Sequence, residues 1–307
     1  MLCFNKKSTS YIGLFLVVFI WGVAPLITFR LGKYFSPSIR TFFSEIILVI
    51  TYLIISGKYL NEFSVKYIKA GAITGLFLAL ANIAQKIGIM HTTPARYAFL
   101  ENLSCITVPV VMYFLVKKKP TFLTILSCLI CLAGIFILNG VSLSNASWGI
   151  GEILCAVSGL LYGFNIAGTS VYAKKLYAPL YLVVQSFVGV IVSFIFTLAL
   201  NFIKIPNEAG IPVPIEKINF TFQPELIIFM IFYIVIGSGL CWIIRTNSMK
   251  CINPVTVAII MPFSAVVTAV LSVIAGNDKF SFNLLAGGII VVISMITSSL
   301  ADIRSDE

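Results

Sequence analysis

The chain has 307 residues, of which 59% are hydrophobic and 10% charged, and its mean hydropathy is +1.05. Such proportions exclude a soluble globular domain. The net charge of +10 suits loop ends beside anionic lipid, and no basic segment interleaved with aromatics points to nucleic acid.

Crossing ~30 Å of hydrocarbon takes about 20 apolar helical residues. Runs of that kind follow one another from Tyr11 to Phe29, Ser38 to Ser56, Ile68 to Met90, Pro94 to Val116, Thr121 to Gly140, Gly149 to Val171, Pro179 to Ile203, Glu225 to Ser248, Pro254 to Ala275 and Ser281 to Ala301. They predict an all-α polytopic membrane protein with ten transmembrane helices. The runs are continuously apolar and lack period two, which argues against a transmembrane barrel. No small-residue cleavage site follows the first run, so it reads as a permanent span. With the amino terminus inside, 13 of the 21 lysines and arginines fall on the inner side, which places both termini in the cytoplasm. One linker is long, Lys204 to Pro224, with Pro206, Pro212, Pro214 and Pro224; it reads as a surface connector, with a lid over an outer vestibule as the alternative.

Cys105, Cys128, Cys131, Cys155 and Cys241 sit inside apolar runs and read as packing residues. The Cys128/Cys131 pair lacks the partners a zinc site needs, so no metal and no cofactor is expected. The single histidine, His91, excludes an H-E-x-x-H protease and a Ser/His/Asp set within the spans, and no phosphate loop exists for a nucleotide-driven pump. An enzyme is therefore not expected.

The chain repeats itself. His91 to Ile137 overlays Cys251 to Thr297 at a constant offset of 160, placing Pro94 on Pro254, Lys119 on Lys279 and Phe122 on Phe282. The expected units are residues 1–140 and 141–307, each of five helices. After five crossings the second copy starts on the opposite side, so the repeats are inverted, an arrangement that rocks between two mirror-related states around one central site.

Ionisable residues within spans are costly, at least ~2.5 to 3.5 kcal/mol each on insertion scales, and three stand out: Glu101 in the fourth span, Glu45 in the second and Lys86 in the third. At 1.5 Å of rise per residue both glutamates lie roughly 10 Å below the outer surface, in a polar layer with Asn82, Gln85 and Asn102. Two readings of Glu101 stand. In one it faces a cavity with Asn82, Gln85 and Asn102, and binds an amine or takes up a proton; in the other it pairs with Lys86 or Arg96 and fixes the third helix on the fourth. Lys86, Arg96, Glu152 and Arg245 are expected to reach the interfaces by snorkelling. Pseudo-symmetry adds Trp21, Tyr162, Asn165, Trp242 and Met261 as binding candidates, and Tyr97 lies one turn before Glu101; each has helix packing as its alternative. Gly71-x3-Gly75 and Gly159-x3-Gly163 have the spacing for close helix contact, while Pro109, Pro262 and Gly237/Gly239 are points where spans can bend.

The stretch Asn82 to Leu100, with Pro109, the basic Lys117 to Pro120 turn and Gly134, resembles EamA-type members of the drug/metabolite transporter (DMT) superfamily, and the second half repeats the pattern from Ser248 through Pro254 to Gly288. The sequence departs from the family where an acidic residue commonly follows the fourth helix; Lys117, Lys118 and Lys119 stand there instead. The resemblance implies ten helices, cytoplasmic termini, a central cavity and no cofactor. It implies a permease of the inner (cytoplasmic) membrane that moves small organic metabolites, often outward, by alternating access. The expected function is non-ATP efflux of amino acids or related compounds, with protons as candidate coupling ion and a monomer or weak homodimer as the assembly. The alternatives are a carrier of nucleotide sugars, vitamins or lipid-linked substrates, or a non-transporting structural protein.

Overall fold

The computed structural model describes residues 2–31, 37–92, 94–117, 119–140, 149–202, 204–206, 212–214, 224–276 and 280–304. Lys33, Lys118, Lys217, Lys279 and most of the proline-bearing linker lie outside them. The described chain is helical apart from two three-residue strands, Lys204–Pro206 and Pro212–Pro214, which pair antiparallel with Ile205 opposite Val213.

The helices are α1 (Leu2–Leu31), α2 (Pro37–Ser56), α3 (Val65–Met90), α4 (Pro94–Glu101), α5 (Ser104–Val116), α6 (Phe122–Leu138), α7 (Ile150–Tyr172), α8 (Ala178–Phe202), α9 (Pro224–Tyr233), α10 (Cys241–Ser248), α11 (Pro254–Ile260), α12 (Phe263–Ile274) and α13 (Phe282–Arg304). Among the described residues eight helical stretches are long and apolar enough to cross a bilayer, and two shorter apolar ones, Lys7–Val23 and Phe122–Leu138, accompany them. Large apolar side chains such as Phe122, Ile54 and Ile274 are exposed, as an outer surface facing lipid requires.

Three expected spans are not continuous. The fourth breaks between α4 and α5, where Asn102 and Leu103 donate to Phe99 and Leu100, three residues back. The ninth breaks at the same place in its repeat, between α11 and α12, where Ser264 and Ala265 donate to Met261 and Pro262. In the eighth, α9 and α10 are joined by a π-helical segment, Ile234–Leu240, containing Gly237 and Gly239. Two carbonyls of this segment accept from side chains of other helices. Trp21 Nε1 donates to the Gly237 carbonyl at 3.1 Å, and Tyr52 Oη to that of Gly239 at 3.4 Å.

The repeats interlock. Helix α7, the first of the second repeat, packs on α3, α4 and α5 of the first, while α1 packs on α10, α11 and α12 of the second; α2 lies along α8, and α6 along α13. Small residues set the first of these contacts: a Cβ on Gly159 would collide with the Leu100 carbonyl, and one on Gly163 with Thr107. Both ends of the chain meet at one end of the bundle, where Asp302 Oδ2 accepts from Tyr11 Oη at 3.0 Å and pairs with Lys7 Nζ at 3.0 Å. The same end is closed by Ser248 Oγ donating to the Ser10 carbonyl (3.1 Å) and Lys250 Nζ to that of Leu176 (2.8 Å). Above them a buried apolar core joins α1, α5, α6 and α11 through Leu14, Val108, Val111, Ile135, Val255 and Ile259.

Candidate functional site

Between the two interlocked groups of helices lies a cavity of about 1000 Å³. Its wall includes Asn139 at the end of α6, Ser281 before α13 and Ser272 near the end of α12, so it opens at the end opposite the chain termini, over the apolar core. Trp21, Gln85, Tyr97, Glu101, Asn102, Tyr162, Trp242 and Met261 all line it.

The first repeat supplies a hydrogen-bonded acid. Helices α3 and α4 form an antiparallel hairpin across His91, and Tyr97 and Glu101, four residues apart, share one face of α4. Gln85 Nε2 donates to Glu101 Oε1 at 2.6 Å and to Tyr97 Oη at 2.7 Å. Tyr162 of α7 donates to Asn82 Oδ1 at 2.5 Å, with Gln85 Oε1 at 3.2 Å, which ties the second repeat's first helix into the same cluster. The Asn102 amide is turned back onto the Ala98 carbonyl at 2.6 Å.

The second repeat supplies a base on an aromatic wall. The Trp21 and Trp242 rings lie 5.5 Å apart at 58°, and the Arg245 guanidinium carbon stands 4.6 Å from the Trp242 ring centroid, within range of a cation–π contact. Arg245 lines the cavity yet is only 3% exposed, and its Nε and Nη1 have no hydrogen-bond partner among the described residues. The expectation that Arg245 snorkels to the cytoplasmic interface is thereby corrected. The constant offset of 160 lays Trp242 on Asn82, Arg245 on Gln85 and Met261 on Glu101, so the cation occupies the position of the acid's hydrogen-bond donor, Gln85, in the other repeat.

The sequence pattern of the EamA-like transporter family matches residues 8–140 and again residues 149–300. The chain belongs to the EamA-like transporter family. It is thus a membrane transporter of the DMT type, embedded in the bilayer and acting on a small-molecule substrate. A solved crystal structure with 14% sequence identity superposes with a TM-score of 0.73, covering 98% of this chain and 99% of its own, and at that identity it shows the fold alone. No curated protein sequence matches.

Two polar candidates of the transporter lie outside the main cavity. Asn82 faces a side chamber of about 190 Å³ between α2, α3 and α8, shared with Arg40, Glu45, Lys86, Gln185 and Trp242; Tyr162, which bonds Asn82, lies on the wall of the main cavity. Asn165 is fully buried, its amide donating to the Thr74 carbonyl at 3.0 Å, in the packing of α7 on α3. Glu152, in the first turn of α7, is 8% exposed, accepts from Thr92 Oγ1 at 2.7 Å and pairs with Arg96 Nη1 at 3.1 Å. Arg96 thus finds its carboxylate on α7, and Glu101 is held instead by Gln85.

Proposed function

We propose that this EamA-like transporter is a non-ATP secondary carrier that exports small organic metabolites, amino acids or related compounds, across the cytoplasmic membrane by alternating access. In this reading ten helices span the bilayer as two inverted repeats, residues 1–140 and 141–307, with both termini in the cytoplasm and no enzymatic activity. The observation that carries it is the cavity itself, whose charged and aromatic lining comes from both repeats, open at one end and sealed at the other. With cytoplasmic termini the open end faces outward, the release side for an exporter. Protons are the coupling ion, taken up at Glu101, and the working unit is a monomer or weak homodimer.

The test is counterflow in liposomes with labelled amino acids, nucleotide sugars, vitamins and polyamines, with and without a pH gradient. Counterflow of amino acids that weakens in Glu101→Gln is expected. Folded protein that exchanges no solute would overturn the carrier reading, and counterflow confined to another class would overturn the substrate.

A further inference from the structure

Arg245 is the ionised group of the cavity that the protein itself leaves unsatisfied. A buried cation without a carboxylate costs folding stability, and at membrane depth the cost is larger than in a soluble core. The cation–π contact with Trp242 does not remove it, because a ring face carries no formal negative charge and no oxygen acceptor for the guanidinium N–H groups. Nε and Nη1 are buried without partners, so the protein supplies no acceptor to offset the charge there. Three residues further along α10, Ser248 is bonded into the sealed end, so Arg245 stands at the floor of the cavity, as far in as a ligand entering from the open end can travel. Glu101 is in a different condition, since Gln85 Nε2 already donates to its Oε1 at 2.6 Å. A ligand anion therefore has more to add at Arg245 than a ligand ammonium at Glu101.

We infer that the transported molecule is anchored by a carboxylate received at Arg245, beneath an apolar body packed against Trp21 and Trp242, and that an amino group on it is dispensable. This rests on the carrier reading above and narrows it from amine-bearing metabolites to organic carboxylates, amino acids being one subset.

The experiment uses two matched sets of probes on the full-length protein: phenylalanine, 2-phenylethylamine and 3-phenylpropionate, and leucine, isoamylamine and 4-methylpentanoate. Each is read by thermal stabilisation in detergent and by counterflow in liposomes. The carboxylate-bearing members are expected to stabilise and exchange, and the two amines to do neither. Arg245→Gln, which installs the residue found at the equivalent position 85, is expected to lose roughly 10- to 100-fold in carboxylate affinity, the range of a hydrogen bond to a charged group. It should also melt higher than the wild type when empty, because the unpaired charge is gone; a purely structural arginine would give a lower melting point. Amines that bind as well as the acids, or chloride that stabilises as well as 3-phenylpropionate, would overturn the assignment and leave the carrier standing. Acids that bind without counterflow would overturn the carrier reading and leave the assignment standing. Protein stabilised by none of the probes would overturn both.

Discussion

Proline has no N–H, so each proline inside a span leaves the carbonyl four residues earlier without its usual donor. Pro109 does this to Cys105 and Pro262 to Ala258, and in both cases a thiol from elsewhere in the chain takes the place: Cys128 Sγ lies 3.2 Å from the Cys105 carbonyl, and Cys105 Sγ 3.2 Å from that of Ala258. Cys105→Ala is therefore expected to lower the thermal midpoint, with a loss of about 1 kcal/mol for the hydrogen bond beyond any packing loss. Cys105→Ser, which keeps a donor, should lie closer to the wild type; equal midpoints for the two would show that packing alone is at stake. The prolines and buried thiols are plain in the sequence. Their pairing joins residues 23 and 153 apart, which no local pattern encodes, and the thiols read only as packing.

At the scale of elements, glycines decide how closely α7 approaches α4 and α5. A methyl group on Gly159 would meet backbone carbonyls of Leu100 and Glu101, which cannot move aside as a flexible side chain would. Gly159→Ala should cost about 1–3 kcal/mol, the usual penalty of overpacking, and should shift Glu101 as well, so that both stability and counterflow fall. Gly57→Ala has no atom within 4 Å of the added Cβ and serves as the control, with neither quantity changed. The Gly159-x3-Gly163 spacing is visible in the sequence, but not which helix it meets. The breaks in the fourth and ninth spans are harder to read. Pro109 lies about two turns beyond Glu101, and Asn102, at the position equivalent to Pro262, carries an ordinary N–H. Only the overlay of the repeats makes Glu101 and Met261 the same residue of the same hinge. It also makes Arg245 the equivalent of Gln85, a correspondence overridden by the general tendency of arginines near span ends to snorkel.

For the whole molecule, the proposed inversion of the two repeats makes a prediction about a state not described by this structure. On the sealed side α5 meets α11, and the thiol of Cys105 touches the carbonyl of Ala258. Exchanging the repeats by the offset of 160 turns Cys105 into Ala265 and Ala258 into Ala98, and both alanines line the open cavity in this structure. Rocking to the mirror state should therefore bring α12 onto α4 through these two residues, whose small side chains allow the backbones to approach as they do below. A bulky residue at either place has room while the cavity is open and none once it closes. Ala265→Trp and Ala98→Trp are accordingly expected to keep the wild-type melting point and the stabilisation by 3-phenylpropionate, while counterflow falls at least tenfold. The loss should appear in exchange and leave binding intact, since the site is complete in the open state and only its transfer to the other side is blocked. Full counterflow in both variants would mean that the second state closes elsewhere. The two repeats would then share a fold without sharing a gate.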